Sequence, residues 1–179
     1  MDNAQFVKLC SKAWSIQVLA ALDGRRGGRI APIAAEIGAG RSSVTATFQH
    51  LLELELLVRN PGHGHPLRPE FVLTRRGMAC ANWASRVGNV TSEGEWKILR
   101  KQWSLPVLRL FDRPRRYRDL RDLLRPVTDR ALSLALKEMV ARDWVVRRVE
   151  DAHSPPQVSY GPARYALRLQ PALASSFAL

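Results

Sequence analysis

The chain carries one stretch twice. KAWSIQVLAAL at 12–22 returns as KQWSLPVLRLF at 101–111, with the Lys, Trp, Ser, Val and Leu positions in register. A repeat constrains the fold before any single residue does, because both copies must build the same supersecondary unit. Behind each copy comes the same order of parts: a short apolar helix, a second helix opening on small polar residues, a strand, a turn rich in Pro, Gly or His, and another short strand. In the first copy these read IAPIAAEIG, RSSVTATFQHLLELE, LLVRN, PGHGHPLRP and EFVLTRRG; in the second, YRDLRDLL, TDRALSLALKEMVARD, WVVRRVE, DAHSPPQ and VSYGPARYALRL. Between the Trp anchors and the strands Leu57-Val58-Arg59 and Val145-Val146-Arg147 the register drifts by about one residue, the mark of domain duplication. The 179 residues are therefore expected to form two domains, 1–90 and 91–179, with the boundary at Gly88, Asn89 and Ser92. Units of about 80 to 90 residues lie near the lower end of what buries an adequate core.

Hydrophobic spacing assigns the elements. Phe6, Val7, Leu9, Cys10, Trp14, Val18 and Leu22 fall mostly at three- and four-residue steps, which predicts one amphipathic helix stopped by Asp23-Gly24. A shorter helix follows over Ile30 to Ile37, with Pro32 in its first turn and Gly38 as its stop. In Arg41 to Leu56, Val44, Phe48, Leu51, Leu52 and Leu56 share one face, while Arg41, Ser42, Thr45, Ala46 and Gln49 share the other. Two such helices joined by Gly38-Ala39-Gly40 make a helix-turn-helix whose second member is the recognition helix. Leu57-Val58-Arg59 and Phe71-Val72-Leu73 read as the strands of a wing, and Met78 to Val87 as a closing helix.

In the second half, Ser92 and Glu95 form a capping box for a helix carrying Trp96, Leu99, Trp103 and Val107, kinked or broken near Ser104 by Pro106. Tyr117, Leu120, Leu123 and Leu124 make the next helix; Pro126 ends it and Thr128 caps the following one. Leu132, Leu136, Met139 and Val140 face inward there, leaving Arg130, Ser133, Leu134 and Lys137 toward a groove. The second wing spans Arg147 to Arg164, stiffened by Pro155-Pro156. The fold expected is mainly α with small β-hairpin wings (α+β), as two tandem winged helix-turn-helix domains.

Charge bounds the partner. Lys plus Arg number 28 against 16 Asp plus Glu, a formal +12 with a pI near 10.9, which favours a polyanion and places nucleic acid first. No run approaches the ~18 apolar residues of a spanning helix, and MDNAQFVKLC lacks a signal peptide's pattern, so a cytoplasmic, nucleoid-associated protein with no membrane partner is expected. Cys10 and Cys80 read as reduced, at least partly buried thiols.

The second unit then resembles the HxlR-type winged-helix transcription regulators, close to the MarR group. The residues that carry it are KxW, RRYRDLRDLL, PVTDRALSLALKEM, WVVRR and PPQVSY, over about Trp96 to Tyr160. Over about Trp14 to Gly77 the first unit is similar to the broader MarR/HxlR class, through IGAGRSSVTATFQHLLELELLVRN and LTRRG. The resemblance implies a bacterial regulator in which a recognition helix enters a major groove and a wing follows the backbone or minor groove. Such regulators dimerise. Two units in one chain would instead give a monomeric pseudo-dimer, a homodimer remaining the alternative.

Phosphate contacts are expected from Arg41, Arg59, Arg68, Arg130, Arg147 and Arg148, and from the basic run that includes Arg115 and Arg116. Base edges would be read by Ser42, Thr45 and Gln49 in the first unit and by Ser133 and Lys137 in the second. His63 and His65 with His50 make a poor metal site, and the tryptophans read as core sooner than as a drug pocket. No metal, cofactor or catalytic residue is expected; a small-molecule effector is possible. Two other readings belong to different classes: a tandem winged-helix protein-interaction scaffold, and a sensor or sequestering protein with an aromatic cleft between its units.

Overall fold

Helices whose apolar residues cover one stripe must bury that stripe together, and each of the chain's two compact units holds such helices. The computed structural model describes residues 1–60, 69–150 and 157–174, and for Glu150 the backbone alone. It is a mixed fold of ten helices and small antiparallel sheets among those residues. One compact unit is made of Met1–Cys10 with Glu93–Ser175, the other of Ser11–Ser92. The division differs from 1–90 and 91–179 in one element, the first helix.

In the unit of Ser11–Ser92 the elements run α2 (Ser15–Leu22), α3 (Ile30–Glu36), α4 (Arg41–Glu53), β1 (Leu57–Arg59), β2 (Phe71–Leu73) and α5 (Arg75–Asn89). Gly38, at φ +65°, ends α3, and its left-handed conformation suits a residue without Cβ. Val44, Phe48 and Leu51 of α4 are buried as their spacing predicts, and Phe48 meets Phe71 edge-on at 5.0 Å. Each such side chain contributes roughly 1.5–3 kcal/mol of burial. β1 and β2 pair antiparallel with Arg59 opposite Phe71, and Gly28 bridges the other side of Phe71. Thr74 caps α5 by accepting from Gly77 N at 3.0 Å while its hydroxyl donates to Glu55 O at 2.8 Å. The closing helix is thus longer than Met78 to Val87 at both ends.

The other unit holds α1 (Asn3–Leu9), α6 (Glu93–Leu99), α7 (Ser104–Arg109), β3 (Arg115–Arg116), α8 (Tyr117–Leu123), α9 (Asp129–Ala141), β4 (Val145–Glu150), β5 (Gln157–Pro162) and α10 (Arg164–Ala174). Asp2 caps α1 by accepting from Gln5 N at 2.7 Å. Phe6, Val7 and Leu9 are buried, and Arg109 of α7 lies over the Phe6 ring at 4.6 Å while donating to Met1 O at 3.0 Å. Burial lowers the Arg109 pKa, partly offset by Cys10 and Asp2. Thr128 caps α9 through Ala131 N at 3.2 Å, and Leu132, Leu136 and Met139 are buried. The sheet order is β3-β5-β4, with Tyr160 between Arg115 and Arg147 and Ser159 between Arg116 and Arg148.

Two expectations are corrected, one pair of short β segments was not foreseen, and the expected break near Ser104 is located. The single helix from Phe6 to Leu22 is two, α1 and α2, parted at Cys10–Trp14. VSYGPARYALRL is a strand only to Pro162; α10 begins at Arg164 and buries Tyr165, Ala166 and Leu169, so the second hairpin closes before Arg164. β3 and its one-residue counterpart at Gly28 escaped the periodicity, being too short to show alternation. The break near Pro106 falls at Arg100–Trp103, where a continuous helix would set the proline ring against the Gln102 carbonyl.

Candidate nucleic-acid interface

Whether a basic residue is available to an outside anion depends on what holds it inside. Arg41 opens α4 and is exposed, and the first turn of α4 holds no acidic residue. A helix N-terminus repels a cation by its dipole, so an arginine there adds positive potential where backbone N–H groups already point outward. Ser42, Thr45, Ala46 and Gln49 are exposed beside it. Thr45 Oγ1 donates back to Arg41 O at 2.8 Å, and Gln49 Nε2 lies 3.5 Å from Glu53 Oε1. Arg29, Ile30, Pro32, Arg41, Thr45 and Pro69 line a groove of about 520 Å³. Arg29 was not singled out from sequence; the Gly28–Phe71 bridge is what sets it at the lip of that groove.

On α9, Arg130, Ser133, Leu134 and Lys137 are all exposed, as the helical period predicts. The Tyr117 hydroxyl reaches from α8 to donate to Asp129 O at 2.9 Å and stands 3.1 Å from Ser133 Oγ, so Ser133 is already engaged within the protein. Among the described residues, no carboxylate lies within 4.0 Å of the charged side-chain nitrogens of Arg41, Arg59, Arg116, Arg130, Lys137, Arg147 or Arg148, although the backbone N–H of Arg116 donates to Asp119 Oδ2 at 3.4 Å. Arg115 differs. Its Nε donates to Leu110 O at 2.6 Å and its Nη2 to Asp112 Oδ1 at 2.8 Å, and its side chain is 16% exposed. Burial alone would raise the Asp112 pKa; the bond and charge of Arg115, with Arg113, more than offset this and hold it below the ordinary value.

The sheet groups part of the set. Arg116 and Arg148 stand opposite Ser159 on either side, so their backbones lie roughly 10 Å apart across β5. Arg59 is exposed on β1. Arg68, His63 and His65 lie outside the described residues, as do Pro155 and Pro156. His50 is buried, with Nε2 3.5 Å from Ser11 Oγ, and among the described residues no group of three or more His, Cys, Asp or Glu is placed to hold a metal. Trp83, Trp96 and Trp144 are buried, whereas Trp14 and Trp103 are half-buried. Trp103, Ala131, Leu134, Ala135, Lys137 and Ala141 help line a second cavity, of about 670 Å³, beside α9. Cys10 and Cys80 are buried free thiols; burial pushes Cys80 up to about 11 against the opposing pull of Arg76, and raises Cys10 further against that of Arg109. No described helix is long and apolar enough to cross a membrane.

An exposed face whose basic side chains are not paired with carboxylates, on the second of two helices joined by a turn, is the arrangement that helix-turn-helix proteins present to DNA. Residues 98–177 match the HxlR-like helix-turn-helix family. The HxlR-like segment runs from the end of α6 through α10, less than half of the chain, and contains the α8–α9 pair and the β4–β5 hairpin. This part of the chain is therefore similar to a family of DNA-binding transcription regulators. No curated protein and no solved structure matches the chain.

Proposed function

We propose that the chain is a sequence-specific duplex-DNA-binding transcription regulator in which α4 and α9 are two recognition helices and the β1–β2 and β4–β5 hairpins two wings. The observation that carries this is the exposed face of α9, where Arg130 and Lys137 stand without carboxylate partners inside the segment that matches the HxlR-like family. The first unit supports the tandem reading by its element order. α2-α3-α4-β1-β2-α5 runs parallel to α7-α8-α9-β4-β5-α10, and Gly28, Phe71 and Arg59 stand side by side as Arg115, Tyr160 and Arg147 do. Trp14 and Trp103 precede the first residues of α2 and α7, both serines.

In this reading Arg41, Arg59, Arg130, Arg147 and Arg148, with Arg68 and Arg116, hold phosphates, and Ser42, Thr45, Gln49, Ser133 and Lys137 face base edges. Arg115 braces the start of β3 through Leu110 and Asp112 and contributes charge at a distance. Neutralising several phosphates releases counterions, so duplex affinity is expected to fall by orders of magnitude between roughly 50 and 200 mM salt. Gel-shift titration tests this, and absence of duplex binding at low salt would leave the protein-interaction scaffold in its place. With one recognition helix per unit, one chain is expected to cover an asymmetric site. Light scattering of the complex finding two chains on a perfect palindrome would replace the pseudo-dimer with a homodimer.

A further inference from the structure

A large apolar side chain held out in water on an otherwise cationic face calls for a partner with an apolar group among negative charges. Leu134 is 59% exposed. It lies one turn after Arg130 and one turn before Lys137, and among the described residues the charged group of neither has a carboxylate within 4.0 Å. A single exposed leucine would be ordinary. Leu134, however, borders the cavity of about 670 Å³ whose walls include Ala131, Ala135, Ala141 and Trp103, so it adjoins other apolar groups along the side of the helix, with the paired Lys101 and Glu138 also lining that cavity. Ser133, next to it, shares its hydroxyl with Tyr117. In α4 the position with the same spacing, one turn after Ser42 and one turn before Gln49, is Ala46, also exposed.

Resting on the DNA reading above, we infer that Leu134 is a specificity-determining residue that reads the C5-methyl group of a thymine in the major groove. Of the four bases only thymine presents an apolar group there; cytosine has a hydrogen at that carbon. The methyl group loses its water against Leu134 and the adjoining alanines, while Arg130 and Lys137 hold the duplex by phosphate and base-edge oxygen. Ala46 is a shorter probe, so the site under α9 depends on a thymine methyl more than the site under α4.

The experiment starts from duplexes selected by the full chain out of a random-sequence pool. Each thymine of the best duplex is replaced in turn by deoxyuridine, which removes the methyl group and leaves the hydrogen-bonding edge intact. Affinity is expected to drop about three- to five-fold at one thymine, the effect of burying one methyl group. Leu134→Ala should bind the parent and that deoxyuridine duplex equally, whereas Lys137→Ala should keep the difference; circular dichroism checks that both variants fold. Selection of a duplex with no deoxyuridine effect, or an effect that survives Leu134→Ala, overturns the inference and leaves the DNA reading standing. Failure to enrich any duplex overturns the DNA reading itself, and the inference with it.

Discussion

Glu55 and Asp143 hold the same left-handed backbone conformation, φ 57° and 56°, each one residue beyond the C-cap of a 13-residue helix. This is where helices favour glycine, and a side chain there is strained. Neither Glu55→Gly nor Asp143→Gly removes a buried contact, both positions being exposed. Each is expected to stabilise the protein by about 0.5–1 kcal/mol. Thermal unfolding of the single and double variants measures this; an unchanged or lower melting temperature would contradict it.

Gly77 has the opposite character. It sits in the first turn of α5, where a Cβ would stand 1.9 Å from Leu56 O and 3.2 Å from a Leu73 methyl carbon. The backbone carbonyl cannot turn aside as a side chain would. Gly77→Ala is therefore expected to destabilise by about 3 kcal/mol or more by parting α5 from the hairpin. Denaturant unfolding would show it, with Gly88→Ala as the control, since a Cβ at Gly88 meets nothing within 4 Å.

Cys80 adds a pH dependence. Its thiol is raised from 9.0 to about 11 by burial, with Arg76 opposing. The unfolded chain therefore loses this proton before the folded one does. The contribution is fully present below pH 9, is lost as pH rises toward about 11, and is absent above. Stability measured across that window should fall less steeply in Cys80→Ala than in the parent, whatever the variant's starting stability. An identical slope would show that Cys80 titrates normally.

Phosphate and base contacts separate by mutation. Arg41→Ala and Arg130→Ala are expected to weaken binding to all duplexes alike and to lower the salt slope by about one each. Gln49→Ala and Lys137→Ala should instead relax preference at one or two positions, at about 1 to 3 kcal/mol each. Selection of preferred sites for each variant checks this. Unchanged preference would mean that these residues point away from the bases.

What the sequence discloses follows from how local each signal is. Most of the inward residues of α4 and α9, the strands of β1 and β2, and the Thr128 cap depend on periods and caps within a few residues and lie where those patterns put them, while Leu52 and Val140, at the edges of their stripes, are only half-buried. The exposed faces follow from the same period. The α1–α2 break carries no such mark: Pro106 announces the break in one half, but Gln17 stands at the matching place in the other. The strand β3 and the isolated bridge at Gly28 exist only because Tyr160 and Phe71 supply partners far along the chain. For the same reason Arg115 and Arg116 look alike in sequence, yet one is tied to Leu110 and Asp112 and the other is open to solvent. The partner that separates them is a matter of loop geometry, not composition.

The anchoring of α1 has a consequence for the order in which the protein is made. Phe6 and Met1 meet Arg109 about a hundred residues later. On a ribosome adding roughly 5 to 20 residues each second, the apolar stripe of Phe6, Val7 and Leu9 emerges about 5 to 20 seconds before its bed exists. Throughout that interval Ser11–Ser92 can assemble its own core while the leading helix waits beside it, unburied. Cleaving the finished chain near residue 90 would recreate that moment permanently, with one fragment bearing a greasy helix and the other missing it. The polypeptide can be read as two halves; it cannot be cut into them.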